Sequence, residues 1–268
     1  MKNILLRTIK EYGFADAGIC SVDSLSGLHD SYKAADITPD MKTLISCVVP
    51  YYFDNRGNLA AFACLEDYHT VVGNMLSAAV DELKNIFPCN KFIYFCDNSP
   101  VYEVEAAVRA GLGVRGKNNL LLHEKYGSFV FIGEIITDIE AEYSKYENKT
   151  CKNCDLCIKS CPADALTDNG FIKEKCVSFI LQKKGALTKE QEDVVKKSGS
   201  AWGCDICQSV CPYNKDLKPC GSFERLYDNI TIEVVESMKP GSVFAWRGKE
   251  TVMRNLRLLS SDIAIDIT

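Results

Sequence analysis

Hydrophobic residues recur at two alternating spacings through the first 142 residues. Helical spacing predicts an amphipathic helix over residues 2–12, ended by Gly13, and a longer helix over 64–87, closed by Pro88. Apolar β-prone runs predict strands over 14–20, 43–52, 91–96, 119–123 and 128–136, and the run at 43–52 has the composition of a central strand buried on both faces. Strands that alternate with helices in this way predict an α/β or α+β domain.

Cysteine spacing dominates the next stretch. A C-x2-C-x2-C-x3-C-P run is followed by a partial copy that lacks its first cysteine, and one upstream cysteine can replace it; the eight are Cys151, Cys154, Cys157 and Cys161, then Cys176, then Cys204, Cys207 and Cys211. Two 4Fe–4S clusters need eight thiolates, and the fourth cysteine of such a run ligates the other cluster. We therefore expect one cluster on Cys151, Cys154, Cys157 and Cys211, and a second on Cys204, Cys207, Cys176 and Cys161.

Structural zinc and disulfides are the alternatives for these cysteines. Zinc uses C-x2-C pairs too, but it takes four ligands in two separated pairs, unlike an unbroken four-cysteine run with a partial copy. Six of the 14 cysteines lie outside the set, and most have apolar neighbours, as buried thiols of a reducing compartment do. With no signal peptide and no membrane-spanning apolar run, we expect a cytoplasmic protein with no membrane contact.

Charge and polarity divide the chain into parts. The net charge is −7 over residues 1–142 and +3 over 143–220, and a basic module on an acidic body does not by itself predict nucleic-acid binding. The polar stretch 140–150 is predicted to be a linker. Short helices are predicted over 176–181, after a capping box at Thr188, and over 231–238 and 250–259. We expect a ligand-binding domain over 1–142, a ferredoxin-like two-cluster domain over 143–220 and a short helical extension over 221–268.

Candidate ligand-binding residues follow the predicted strands and helices of residues 1–142. Asp97 and Ser99 come directly after the strand 91–96, although Asp97 has a plain alternative role as a cap of the predicted helix 101–110. Asp67, Tyr68 and His69 form a second group; a histidine at the start of a helix is most often a surface or capping residue.

A glycine-rich stretch, residues 110–119, is the third candidate. Because it follows a helix instead of a strand, it does not fit a Rossmann dinucleotide site. It is better interpreted as a backbone loop folded closely around a flat or polyanionic ligand, with these residues facing it: Gly111, Gly113, Gly116, Lys117 and Asn118.

Together these motifs resemble the epoxyqueuosine reductase family over about residues 5–220, with traces at Arg254 and Asn255. They are Asp67-Tyr-His, Asp97-x-Ser-Pro, the glycine stretch, Gly133-Glu with Thr137-Asp, and Gly203-Cys-Asp-Ile-Cys-Gln. The resemblance implies an α+β fold, with an α/β-type cobalamin-binding N-terminal domain, a two-cluster ferredoxin-like domain and a short helical tail. It also implies reduction of the epoxide of epoxyqueuosine in tRNA, with two 4Fe–4S clusters, cobalamin and an external electron donor such as flavodoxin or ferredoxin.

In this family Asp97 corresponds to the general acid that protonates the departing epoxide oxygen. An apolar macrocycle that desolvates a carboxyl favours its protonated form, which suits that role. The glycine stretch with Lys117 would lie along the corrin.

The chain departs from the family pattern at three places. Two of them are local: Val114-Arg115 in the glycine stretch and Cys64-Leu-Glu before Asp67. The third is that this sequence stops soon after Leu259, where full-length members of the family continue into a helical-repeat region that helps to hold tRNA. We therefore expect the chemistry to be retained and the tRNA contact to be reduced.

Two further hypotheses stay open. One is a corrinoid and iron–sulfur reductase of a smaller substrate, similar to the reductive dehalogenases. The other is a two-cluster electron carrier without catalysis.

Overall fold

The structure is a computed structural model and describes residues 1–27, 36–55, 57–97, 99–147, 149–238 and 241–260. It contains two compact units, one made of Met1–Tyr51 and His69–Lys152, the other of Tyr52–Tyr68 and Asn153–Thr268. Asn98 and the predicted tail beyond residue 260 lie outside the described residues. No helix of the described part is long and apolar enough to cross a membrane.

A four-stranded sheet forms the centre of the first unit. Its strands are β1 (Asp16–Ser21), β2 (Thr43–Pro50), β3 (Phe92–Cys96) and, after two short strands, β6 (Val130–Thr137), in the order β1-β2-β6-β3. Every neighbouring pair is antiparallel. The α+β expectation is confirmed, and β2 is an inner strand buried at each of its positions, as its composition predicts. Because no pair in this sheet is parallel, the rule that ligand-binding residues follow the carboxyl ends of parallel strands does not explain the position of Asp97.

Helices cover both faces of this sheet. They are α1 (Lys2–Glu11), α2 (Tyr68–Ile86) and α3 (Glu103–Arg109). Two glycines of the sheet let neighbouring segments pack closely against it. A Cβ on Gly18 of β1 would lie 2.0 Å from the carbonyl oxygen of Ala110, and one on Gly133 of β6 would lie 3.1 Å from the Leu76 side chain of α2. The short strands β4 (Val114–Arg115) and β5 (Leu121–Leu122) pair with each other.

The second unit consists of short helices and one small hairpin. Its helices are α4 (Leu156–Ser160), α5 (Val177–Leu181), α6 (Lys189–Ser198), α7 (Ile206–Ser209), α8 (Ile232–Glu236) and α9 (Lys249–Ser260), and its hairpin joins β7 (Leu166–Thr167) to β8 (Gly170–Phe171). The predicted capping box at Thr188 is present and opens α6. Trp202 and Phe244 lie at the centre of an apolar core that includes residues of α9.

The division into units differs from the three parts predicted from the sequence. Residues 52–68 pair with the cluster unit: the Ala60 amide donates to the Trp202 carbonyl at 2.9 Å, and the Leu226 amide donates to the Cys64 carbonyl at 2.8 Å. The last pairing and the core around Phe244 also join the predicted extension to the cluster region. Segments distant in sequence therefore form one body, because their backbone groups satisfy each other.

Two local predictions also need correction. Helix α2 begins at Tyr68, not at residue 64, because the Cys64 carbonyl and the Glu66 amide are engaged by residues 224–227. The predicted linker 140–150 is not a free connection: the Ser144 amide donates to the Ile19 carbonyl at 2.8 Å, and the Ser144 hydroxyl accepts from the Ile19 amide at 2.9 Å. That segment is anchored along β1.

Candidate active site

Asp97 and His69 form the centre of the candidate site. Asp97 follows β3, and His69 lies in the first turn of α2. The His69 Nε2 atom is 3.0 Å from Asp97 Oδ2, and the two side chains are 40% and 49% exposed. A carboxyl and an imidazole in contact, both open to solvent, can hold or move a proton at a substrate.

Asp97 has a left-handed backbone conformation. Its φ is 56°, in the left-handed region that costs free energy for any residue with a Cβ. It is not the cap of α3, since that helix begins at Glu103 after Tyr102, which makes no side-chain cap. Ser99 is the local turn residue: it is buried, and its Oγ accepts from the Val101 amide at 3.3 Å. The predicted helix start at residue 101 is thus two residues too early.

The glycine stretch folds into the β4–β5 hairpin. Gly111 and Gly113 have φ of 82° and 157°, and a Cβ on them would lie 2.5 Å from the Lys145 carbonyl oxygen and 2.4 Å from the Leu122 carbonyl oxygen. A Cβ on Gly116 would lie 2.2 Å from Asn118 Oδ1. These glycines are required by the protein's own backbone and side chains, whether or not a ligand lies against the hairpin.

Asn118 offers a polar group suited to a ligand. The residue is 6% exposed, and its Nδ2 atom has no hydrogen-bond partner among the described residues. Its Oδ1 faces the Leu120 amide at 3.4 Å, so the side chain is already oriented. A buried donor left over in this way is unusual in a native protein and fits the carbonyl of an amide-bearing ligand such as a corrin. Lys117 precedes it on the same hairpin.

Glu134 belongs to the Gly133-Glu motif, to which the sequence assigns no role, and the structure shows that it is a buried acid. It is fully buried in β6, opposite Ser46 of β2 and Phe95 of β3. Burial, with the Glu103 carboxylate adding to it, raises the pKa of Glu134 well above its usual value. The Ser99 hydroxyl opposes the rise, although no hydrogen bond of good geometry reaches either Glu134 oxygen in the described part of the chain.

The thiols expected for the second cluster are neighbours. Burial raises the pKa of the Cys204 thiol to about 11, and the Cys176 and Cys161 thiols add to the rise. Burial also raises the pKa of Cys207, to which Cys204 and Cys176 contribute. Electrostatic effects of this kind need short separations. Amides already point at two of the sulfurs: Ala165 donates to Cys161 Sγ at 3.4 Å, and Phe179 and Ser178 donate to Cys176.

The thiols expected for the first cluster are more open. Cys154 is exposed, while Cys157 and Cys211 are partly buried, and α4 packs against α7. Cys151 belongs to the first unit and the other three to the second. Within the described residues, no three His, Cys, Asp or Glu side chains converge as the ligands of a single metal ion would.

Asp205 is a functional candidate that sequence reasoning missed. Its partly buried carboxylate accepts from the Ala61 amide at 2.6 Å and from Gln208 Nε2 at 2.8 Å, and desolvation raises its pKa to about 6. It joins the cysteine loop to the segment that ends in Asp67 and Tyr68. Its position between Cys204 and Cys207 could have marked Asp205 as a candidate. Its hydrogen bond to Ala61 could not be predicted, because Ala61 lies 144 residues away in the chain.

Comparison with known proteins identifies relatives of both parts of the chain. Residues 150–214 match the 4Fe-4S double cluster binding domain. An epoxyqueuosine reductase of Lactococcus garvieae is 30% identical over 240 residues, which are 81% of this chain and 68% of that protein. The chain spans 56% to 68% of the length of curated relatives that it matches.

Two solved structures share the fold over nearly the whole chain. An epoxyqueuosine reductase bound to an epoxyqueuosine-modified tRNA stem loop matches with a TM-score of 0.80 and 24% identity, covering 97% of this chain and 80% of that one. The Bacillus subtilis epoxyqueuosine reductase, with an aspartate-bearing catalytic loop swung out of its active site, matches with a TM-score of 0.80 at 25% identity and the same coverage. The sequence and fold comparisons agree, and the chain belongs to the epoxyqueuosine reductase family.

Proposed function

We propose that this protein is an iron–sulfur and cobalamin-dependent oxidoreductase that reduces the epoxide of epoxyqueuosine in tRNA to the alkene of queuosine. The observation that carries the proposal is the Asp97 carboxyl, held on a left-handed residue and in contact with His69. It lies in a chain that also has a double-cluster domain over residues 150–214. An acid at one site and eight thiols elsewhere are the protein groups that a proton-coupled reduction needs.

Asp97 is proposed to deliver the proton to the departing epoxide oxygen. When bound, cobalamin supplies the low-potential centre at which the substrate is reduced, and the two clusters supply its electrons. The His69 imidazole, 3.0 Å from Oδ2, orients the carboxyl and can return a proton to it after each turnover. The aspartate-bearing catalytic loop of the Bacillus subtilis relative supports this role for an aspartate that follows a strand.

The β4–β5 hairpin is proposed to hold the corrin. The buried Nδ2 of Asn118 would donate to one of its amide carbonyls, with Lys117 beside it. His69 and Ser99 are proposed to lie at the edge of the same ligand, and the roles of Asp67 and Tyr68 stay predictions from the sequence. The glycines Gly111, Gly113 and Gly116 would keep the hairpin narrow enough to lie flat against a macrocycle.

The proposed partners are the tRNA substrate and an external electron donor such as flavodoxin or ferredoxin. A relative of the same fold binds an epoxyqueuosine-modified stem loop, which supports RNA as the substrate. The reaction would take place in the cytoplasm, where tRNA is modified.

Turnover of a defined RNA tests this function. Anaerobic protein with both clusters, cobalamin and dithionite should remove one oxygen atom from an epoxyqueuosine-modified stem loop, as read by mass spectrometry of the digested RNA. Omission of cobalamin is the control and should abolish the product. A protein that binds cobalamin and carries both clusters yet leaves this RNA unchanged would favour a different, smaller substrate.

A further inference from the structure

A basic and apolar patch lies beside one of the proposed cluster ligands. Phe171 is the last residue of β8, and residues 172–176 join that strand to α5; Phe171 and Ile172 are 39% and 37% exposed. Lys173 and Lys175 follow at exposed positions, and the next residue is Cys176. Large apolar side chains left open beside cations are a feature of surfaces that bind other molecules.

Two lysines of this patch share one aromatic ring. The Lys173 and Lys183 ammonium groups lie 5.3 Å and 5.8 Å from the centroid of the Phe179 ring. Their like charges repel each other, and an approaching anionic surface would relieve that repulsion. Glu174 is the only acidic residue among residues 171–184, against four lysines. We name this surface the Phe179 patch; it comprises Phe171, Ile172, Lys173, Lys175, Phe179 and Lys183.

The patch is directly connected to Cys176. The Phe179 and Ser178 amides donate to the Cys176 sulfur at the start of α5. A molecule seated on Phe171 and Phe179 is therefore separated from a thiolate ligand by a single turn of helix.

We propose that the Phe179 patch is the docking surface for a small acidic electron-carrier protein, which reduces the cluster ligated by Cys176. In each encounter the carrier loses one electron and the cluster gains it, passing from the 2+ to the 1+ state; no bond forms or breaks. This inference rests on the proposed function, because it assumes the clusters. An apolar centre with a charged rim is the anatomy of protein interfaces, which favours a protein over RNA as the occupant.

Stopped-flow reduction of the anaerobic, cluster-loaded protein tests the proposal. The probe is a photoreduced bacterial flavodoxin, an acidic protein, and the readout is bleaching of the cluster absorbance. Lys173→Glu/Lys183→Glu should lower the second-order rate constant at least about 10-fold at low ionic strength, within the range that electrostatic steering covers. Lys42→Glu/Lys84→Glu is the matched control: it changes the net charge equally at two exposed lysines of the first unit and should have little effect. Lys173→Arg/Lys183→Arg should keep the wild-type rate.

The outcomes separate the docking proposal from the proposed function. Dithionite, which needs no docking surface, should reduce every variant at the wild-type rate; a wild-type protein that dithionite does not bleach would contradict the clusters themselves. Equal rates with flavodoxin for the patch and control variants would overturn the docking proposal. So would a patch variant that loses stem-loop RNA binding but keeps its rate with flavodoxin. If the Lys173→Glu/Lys183→Glu variant does not assemble its clusters, the salt dependence of the wild type takes its place as the test. The second-order rate constant for reduction of the wild type by flavodoxin must fall steeply with added salt.

Discussion

The carboxyl group of Glu134 is buried, and neither of its oxygens has a hydrogen-bond partner among the described residues. It lies at 0% exposure in the middle of a four-stranded sheet, with Ser46 on one neighbouring strand and Phe95 on the other. Burial and Glu103 raise its pKa, so the folded protein holds it protonated well above the pH at which an unfolded chain would release the proton. A carboxyl group whose pKa is higher in the folded than in the unfolded protein lowers the free energy of unfolding as the pH rises from the unfolded-state pKa to the folded-state pKa.

Glu134→Gln should therefore stabilise the protein at neutral and alkaline pH. The amide keeps the shape but has no charge to develop, so the decline in thermal stability as the pH rises from about 5 into the alkaline range should become shallower. Thermal unfolding by circular dichroism across that range measures it. Glu82→Gln, at a partly exposed position of α2, is the control and should leave the profile unchanged. Equal slopes for wild type and Glu134→Gln would mean that Glu134 is already ionised in the folded protein.

At the residue scale, the sequence supplied the candidates but not their partners. The sequence predicts Asp97 as a possible acid and His69 as a candidate ligand contact, but it does not predict that the two touch, because they lie 28 residues apart. Glu134 was visible only as part of a motif, because an apolar run with one acid in it does not say which face of the sheet the acid takes.

Helix α9 shows how an element is fixed by one buried amide. Asn255 is 0% exposed, and its Nδ2 donates to the Leu181 carbonyl at 3.0 Å and to the Ala201 carbonyl at 2.9 Å. The adjacent Arg254 donates to the Lys183 and Gly185 carbonyls at 2.6 and 2.7 Å. These bonds satisfy carbonyls of loops that flank the cysteines.

Asn255→Ala should lower the melting temperature clearly. The buried Ala201 carbonyl loses its Asn255 donor, at a cost of roughly 1–3 kcal/mol, while the Leu181 carbonyl still accepts from Arg254 Nη2 at 3.2 Å. Exposed Asn85→Ala on α2 should stay close to wild type. Differential scanning fluorimetry of cluster-loaded protein compares them, and a melting temperature for Asn255→Ala equal to that of Asn85→Ala would contradict the anchoring role.

Helix α5 makes a second prediction at this scale, since Cys176 is its N-cap. Cys176→Ala should lower the iron content from about eight to about four atoms per chain, because the cluster on Cys204, Cys207 and Cys161 loses a thiolate. Iron analysis and electron paramagnetic resonance of the reduced protein measure this. Cys89→Ala, at an exposed cysteine outside the set, is the control. Unchanged iron and signals would remove Cys176 from the ligands.

Element types were predicted better than element boundaries. Local periodicity placed α1, β2, β3 and the capped helix α6, whose signals lie within their own residues. The start of α2 and the anchored segment around Ser144 depend on hydrogen bonds to residues more than a hundred positions away, and no local pattern encodes them.

At the scale of the whole molecule, the sequence predicted the α+β class, while the two compact units of the structure differ from the three predicted parts. The segment 52–68 looked like part of the first domain by position. It belongs to the unit that holds most of the cysteines, through partners such as Asn229, whose Oδ1 accepts from the Asn58 amide at 2.9 Å across 171 positions. The segment that carries Asp67 and Tyr68 is thus folded with the cluster region, while His69 and Asp97 belong to the other unit.

The most direct test of the proposed chemistry is single turnover by Asp97→Asn. The amide is nearly isosteric but cannot deliver a proton, and a positioned acid contributes on the order of 10²–10⁴ in rate. With an epoxyqueuosine-modified stem loop, cobalamin and dithionite in excess, the rate of oxygen loss should fall by about that factor. Iron content, cluster spectra and cobalamin binding should remain those of the wild type. A variant that turns over at the wild-type rate would contradict the role of Asp97 as the acid.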